Sequence, residues 1–426
     1  MNGSNHTALR LTARQSPDFR HLHELWTGRT AVSDGGSSRP YLQVSTKFVD
    51  LPSGRLRSVK KIHDLPTPCL VLDRDRFESN LDKMSRFARD RGIALRPHAK
   101  THKCVEIARR QIKTGAIGIS VATIAEAEVM VRGGIRGLLI TGEMVGEPKI
   151  SRLIRLVSQA RDTIVVVDDI RNVDELQHAA LAAGIDIAVL IDLDIGQNRT
   201  GIQPGESALR LAERIARAKN LRLKGICAYA GHVAHVVGYE ERRASSQRAL
   251  AQAIATRDLL LRNGHNVEIL SGASTGTYNI DSYVDGITEM QCGSYVFMDV
   301  EYRRIGGESG PLYEDFAPAL CVLATVIHRS GNKAIVDAGL KAFSTDRPFG
   351  PEPVGVGGAT YEFAGDEHGR LILSGDDAVQ LGDRLRFIIP HCDPTVNLYD
   401  RFFCVRGEWV EDEWAIMERA GGATHF

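Results

Sequence analysis

Lys100 stands among Arg96, His98, His102 and Lys103 in the segment Arg96-Pro97-His98-Ala99-Lys100-Thr101-His102-Lys103. Like charge and partial burial disfavour the ammonium form of a lysine in such company, and the free amine that results can condense with an aldehyde cofactor to form an imine. The other reading of these residues is a basic, solvated loop at the start of a helix.

Four further segments hold groups that such chemistry needs. Ser271-Gly272-Ala273-Ser274-Thr275-Gly276-Thr277-Tyr278 is small and hydroxyl-rich, so backbone N–H groups around Gly276 and the hydroxyls of Ser274, Thr275 and Thr277 can close on a phosphate where a short helix begins. Alone, the same loop reads as a plain turn. In Asp192-Leu193-Asp194-Ile195-Gly196-Gln197-Asn198-Arg199-Thr200-Gly201, Arg199 can meet the pyridine nitrogen of a cofactor, which a guanidinium leaves unprotonated; a surface arginine in a glycine-bounded loop is the alternative. Tyr229-Ala230-Gly231-His232-Val233-Ala234-His235 offers a ring to line a pocket and two imidazoles, one of which can move protons near neutral pH. In Pro390-His391-Cys392-Asp393-Pro394-Thr395-Val396-Asn397, extended backbone would put His391 and Asp393 on one side and Cys392 on the other. Imidazole with carboxylate suits Mn²⁺, Mg²⁺ or Co²⁺ better than a thiolate-bound Zn²⁺, and a hydrogen-bonded His–Asp pair is the bland alternative.

These segments need a scaffold that brings strand ends to one axis. From Pro68 the chain alternates short Val-, Ile- and Leu-rich runs with longer stretches of helical period, as parallel strands joined by crossover helices do. Strands are expected at Cys69–Leu72, Ala94–Arg96, Ile117–Ser120, Leu138–Thr141, Ile164–Val167, Ala188–Ile191, Gly225–Ala228 and Glu268–Ser271. Helices are expected at Arg74–Arg89, Thr123–Gly133, Val173–Ala183, Ser207–Lys219 and Tyr239–Asn263. Eight such units imply an α/β fold, a closed (β/α)8 barrel of TIM type. Lys100 would follow its second strand, Arg199 the sixth, Tyr229 the seventh and the Ser271–Tyr278 loop the eighth, near where barrels bind phosphate. After about Asp315 the rhythm changes to strands at Cys321–Arg329, Lys333–Asp337, Arg370–Leu373 and Arg384–Ile389. The expected division is an N-terminal extension over residues 1–61, a cofactor-binding barrel over 62–312 and a mostly β C-terminal domain over 313–426 that bears the metal pair. Arg10, Arg14 and Arg20 give the extension a faint likeness to a transit peptide; an unstructured extension is the preferred reading.

Hydrophobic residues at 43% and charged residues at 25% are ordinary globular values. Lys and Arg balance Asp and Glu at 53 each, which removes the basic footprint of a nucleic-acid binder and points to a small-molecule partner. No apolar run approaches the roughly 20 residues that span a bilayer, so no membrane partner is expected. The seven cysteines are scattered, which fits free thiols and a cytoplasmic location.

Together, Asp64-Leu65-Pro66-Thr67-Pro68, the Arg96–Lys103 block, Gly196–Gly201, Ser274–Tyr278 and Pro390–Asp400 resemble, in order, the D-threonine aldolase and D-serine dehydratase group of pyridoxal-phosphate enzymes, whose fold is that of alanine racemase. The resemblance implies that Lys100 carries pyridoxal 5′-phosphate as an imine, that Arg199 faces the pyridine nitrogen, and that Tyr229 lies in the cofactor pocket. It further implies that Gly276 and Thr277 bind phosphate, that Gly293, Ser294 and Tyr295 of Gln291–Tyr295 line it, that His391 and Asp393 hold a divalent metal, and that the chain is a homodimer. His-x-Asp is similar to the aldolases, whereas the dehydratases tend to show His-x-Cys. The expected reaction is cleavage of a D-β-hydroxy-α-amino acid to glycine and an aldehyde, with His235 as acid/base. Ala234-His235 departs from the Gln-His common in the group. The alternatives are a D-serine or 3-hydroxyaspartate dehydratase, a non-catalytic cofactor carrier, and a metal-dependent aldolase without organic cofactor; a racemase needs no metal for a hydroxyl.

Overall fold

The computed structural model describes residues 60–375 and 379–419, together with the backbone of Phe48–Asp50 and Leu56–Ser58, which pair as antiparallel strands. Most of the expected extension therefore lies outside the described residues.

Eight parallel strands form one sheet in the order Ala94–Leu95, Glu289–Met290, Ile269–Gly272, Leu221–Cys227, Ile187–Asp192, Ile164–Val167, Leu138–Ile140 and Ile119–Val121. A parallel bridge between His98 and Ser120 joins the two ends. The Ile117 N–H donates to Leu95 O at 2.9 Å and the Ser120 N–H to Pro97 O at 2.9 Å, so the sheet closes as a barrel. Strand period sorts the apolar side chains: Val166, Leu190 and Cys227 pack in one cluster, while Val165, Val167, Val189 and Ile191 pack with Leu153, Val173, Leu176 and Leu211 of the surrounding helices.

The helices begin and end where local chemistry directs. Asp73 accepts the Arg76 N–H to start Arg74–Arg91, Thr123 accepts the Glu126 N–H to start Ile124–Arg132, and Asp169 accepts the Arg171 N–H to start Ile170–Ala183. Gly92 and Gly184, at φ of 64° and 65°, close the first and third in the left-handed conformation. Glu206–Ala216 and Tyr239–Arg262 also lie where the apolar period puts them.

One expected barrel strand belongs elsewhere. Cys69–Asp73 pairs antiparallel with Leu320–Ser330 and parallel with Arg401–Arg406, inside the second sheet. Leu70 and Leu72 pack in the main core and Cys69 and Val71 against Leu323, Phe403 and Val405, so the strand is apolar on both faces like a barrel strand. Glu289–Met290, too short and too polar to read as a strand, completes the barrel instead. Lys100 thus follows the first barrel strand, Arg199 the fifth, Tyr229 the sixth, and the Ser274 loop the seventh.

The second sheet runs Thr360–Phe363, Gly369–Ile372, Lys333–Val336, Leu320–Ser330, Cys69–Asp73, Arg401–Arg406 and Trp409–Ala415, with Arg384–Ile388 bridging Leu320–Ser330 and Glu352–Pro353. All seven cysteines are buried and free. Among the described residues no helix is long and apolar enough to cross a membrane.

Candidate active site

The residues around Lys100 neutralise one another. Arg96 is buried and binds the Glu289 carboxylate through Nε and Nη2 at 3.0–3.2 Å, with Nη1 on Gly137 O. Lys103 pairs with Glu126 at 2.5 Å. Burial, reinforced by the charge of Lys100, holds His98 well below the usual imidazole range, and burial pulls His102 down to about 3. The expectation that like charge frees the Lys100 amine is therefore corrected. Burial does push that ammonium down, but the Asp393 carboxylate, 2.5 Å from Nζ, outweighs it and the net shift is upward. Asp393 is held below the carboxylate range by the same pairing against its own burial. Replacing Arg96 with Met leaves Glu289 buried with Ser271 Oγ at 2.6 Å as its remaining strong donor. The variant should lose about 3–5 kcal/mol in a denaturant melt, and adding Glu289→Gln should recover part of the loss.

Lys100 sits in the 3-10 turn Ala99–Thr101, where the His98 imidazole accepts the Lys100 N–H at 3.2 Å. Its side chain lines a cavity of about 240 Å³ at the C-terminal ends of the barrel strands, shared with Arg199, Tyr229, Ser274, Thr275, Gly293 and Ser294. The Arg199 guanidinium lies 5.8 Å from the Tyr229 ring centre. Its loop is shaped by Asp194, which accepts the Gly196 and Asn198 N–H groups at 3.0 Å, and by Asp168, which accepts the Gly201 N–H at 3.0 Å.

The Ser274–Tyr278 loop is tied mainly to itself. Thr277 Oγ1 accepts the Ser274 N–H at 3.1 Å and donates to Asp281 at 2.6 Å, and Thr275 Oγ1 accepts the Tyr295 N–H at 3.0 Å. Gly276 lies so near Ala234 O that an added Cβ would sit 2.1 Å from it. Among the described residues the N–H groups of Thr275 and Gly276 find no acceptor, so backbone rather than the Thr277 hydroxyl is free to hold an anion. Neither Gly276 nor Thr277 lines the cavity, and the Tyr295 ring is buried with its hydroxyl accepting from Gln111 at 3.2 Å.

His391 and Asp393 do not share the extended backbone expected of them. His391 caps a short helix, Cys392–Val396, and Asp393 is in its first turn. Cys392 is wholly buried and burial pushes its thiol far up, which disfavours a thiolate ligand. Asp393 Oδ1 is buried with only the Thr101 hydroxyl near it and no well-formed hydrogen bond, and His391 bonds Asp346 through Nδ1 at 2.7 Å, which leaves Nε2. One nitrogen and one oxygen donor fit a hard divalent cation whose other ligands are water or substrate. Among the described residues no group of three or more His, Cys, Asp or Glu side chains is assembled for a metal. His235 stacks on Tyr302 with ring centres 4.6 Å apart and has Nδ1 3.4 Å from Glu301; burial pulls it down to about 4 despite that carboxylate.

Tyr302 and Glu143 line the cavity without any sequence signal, beside Gln291 and Asp192, which belong to segments already singled out; Glu143 and Asp192 are neighbouring carboxyls. Burial, then the Glu143 charge, pushes Asp192 up to about 7, and Glu143 is raised as well. Glu301 faces both histidines, and Arg347, from a separate segment, pairs with Glu301. Only their positions in the fold reveal them.

Residues 72–301 match the alanine racemase N-terminal domain family and residues 319–405 the serine dehydratase domain family. The chain is 37% identical to 3-hydroxy-D-aspartate aldolase of Paracoccus denitrificans (strain Pd 1222), with 84% of this chain and 93% of that one aligned. It is 39% identical to D-threonine aldolase of an Arthrobacter species, over 83% and 92% of the two chains. The crystal structure of D-threonine aldolase from Filomicrobium marinum superposes with a TM-score of 0.82 at 40% identity, covering 85% of this chain and 98% of that one. With both halves matched in order and the barrel fold shared, the chain belongs to the D-threonine aldolase and D-serine dehydratase-like family of pyridoxal-phosphate enzymes with the alanine racemase fold.

Proposed function

We propose that the protein cleaves the Cα–Cβ bond of D-β-hydroxy-α-amino acids of the D-threonine kind, releasing glycine and an aldehyde. Pyridoxal phosphate would be anchored on Lys100 and a divalent cation (Mn²⁺, Mg²⁺ or Co²⁺) on His391 and Asp393. The observation that carries the reading is the 2.5 Å contact between Lys100 Nζ and Asp393 Oδ2, which sets a carboxylate from 293 residues away against the amine that lines the cavity. The names of the aldolase relatives support it further.

When bound, the cofactor ring supplies an electron sink for Cα, and the cation supplies a Lewis acid for the hydroxyl. The protein does the rest. Arg199, permanently charged, keeps the ring nitrogen unprotonated. The Thr275 N–H, with Ser274 and the Gly293–Ser294 turn, would offer donors to the phosphate, and Gly276 would let the loop backbone approach it closely. His235 is neutral at working pH and accepts the hydroxyl proton, directly or through water. The reading includes a cytoplasmic homodimer, as the family resemblance implies, and a small-molecule partner rather than nucleic acid or membrane.

Incubating the holoenzyme and divalent metal with D-threonine, D-serine and D-3-hydroxyaspartate, then assaying products, tests this. Glycine and an aldehyde, absent with L-threonine, are expected. Ammonia and a keto acid would make the protein a dehydratase, and bound cofactor without turnover a carrier.

A further inference from the structure

We propose that Asp346 is a positioning residue for the metal: it fixes the His391 imidazole in the tautomer and orientation that turn Nε2 toward the cation. The inference rests on the metal reading of His391 and Asp393 given above. Asp346 follows the strand Lys333–Val336 by ten residues of loop, and the sequence around it shows no ligand spacing. Its Oδ2 lies 2.7 Å from His391 Nδ1. A carboxylate can only accept, so Nδ1 carries the hydrogen and the lone pair of a neutral ring is left on Nε2.

The other side of the ring shows where that lone pair points. Nε2 faces Glu301 Oε2 across 3.9 Å, and that oxygen is buried without a hydrogen-bond partner. Two acceptors facing each other with no donor between them is an arrangement that a cation in the gap stabilises. Asp393 Oδ1, a second buried oxygen with no well-formed hydrogen bond, lies two residues past His391, in the first turn of the short helix that His391 caps. Asp346 is itself held. Arg347 reaches it through Nη1 at 3.1 Å and reaches Glu301 through Nε at 2.6 Å, so the carboxylates on both sides of His391 are tied to one guanidinium. Carboxylates behind metal-bound histidines fix ring orientation in this way, and their loss typically weakens metal binding by about 10–100-fold.

Mn²⁺ titrations of the cofactor-loaded protein, with free Mn²⁺ read by electron paramagnetic resonance, test the assignment without reference to turnover. Asp346→Asn keeps the shape and removes the charge-assisted acceptor; it should weaken Mn²⁺ binding about 10–100-fold, leave the cofactor absorbance unchanged, and be partly rescued by Asp346→Glu. Wild-type Mn²⁺ affinity in Asp346→Asn alongside loss of binding in His391→Ala would overturn the positioning role and leave the metal site standing. Wild-type affinity in His391→Ala would overturn the metal reading itself, and the inference with it.

Discussion

Lys100→Ala is expected to lose the long-wavelength absorbance of lysine-bound cofactor and at least about 10³-fold in turnover, since among the described residues it removes the only amine lining the cavity. Alanine also removes the positive charge beside Asp393, so loss of activity alone does not distinguish an anchor from a counter-ion. Lys100→Arg does. It keeps a cation against Asp393 Oδ2, where Nζ now stands at 2.5 Å, but a guanidinium does not give up its proton to attack an aldehyde. Both variants should therefore be colourless and inactive, with Lys100→Arg keeping wild-type Mn²⁺ binding. An active Lys100→Arg enzyme would remove the residue from the chemistry.

Asp393→Ala should separate the two cofactors, with opposite signs on two readouts. Metal-dependent turnover should fall at least about 10²-fold and become insensitive to chelators, while cofactor binding persists. Asp393 is also what raises the Lys100 ammonium against burial. Without it burial prevails, the lysine pKa falls, and more free amine is present at neutral pH. The apo variant should accordingly capture pyridoxal phosphate faster than wild type at pH 7, with the pH profile of capture moved to lower values. Stopped-flow absorbance against pH reads this directly. Slower capture would mean that Asp393 activates the lysine rather than restraining it, and undiminished turnover would take the residue out of the metal site.

Much of this was legible in the chain because the chemistry-bearing segments are compact and the barrel helices carry their own caps. What periodicity could not reveal is which sheet a two-sided apolar strand joins. Cys69–Asp73 reads as a barrel strand because it is apolar on both faces, and its true partners begin 247 residues downstream at Leu320. Glu289–Met290 escaped notice because a two-residue strand has no period and its glutamate is tolerated in the interior only through Arg96 and Ser271. At His391 and Asp393, the aspartate precedes proline, a position biased toward extended backbone, yet Pro394 falls in the first helical turn, where no N–H is needed. Glu301, Asp346 and Arg347 were invisible because each is an ordinary surface residue type whose partners come from distant segments.

The strand Cys69–Asp73 has a consequence for synthesis. It leaves the ribosome first among the core elements, but its neighbours Leu320–Ser330 and Arg401–Arg406 emerge long after the last barrel strand at Met290. At about 5–20 residues per second it waits on the order of ten seconds or more with both edges open and both faces greasy. A nascent chain of this topology is a natural client for a holdase; a stop codon before Leu320 would leave the strand with neither neighbour, and one before Arg401 with a single neighbour, however well the barrel itself has closed.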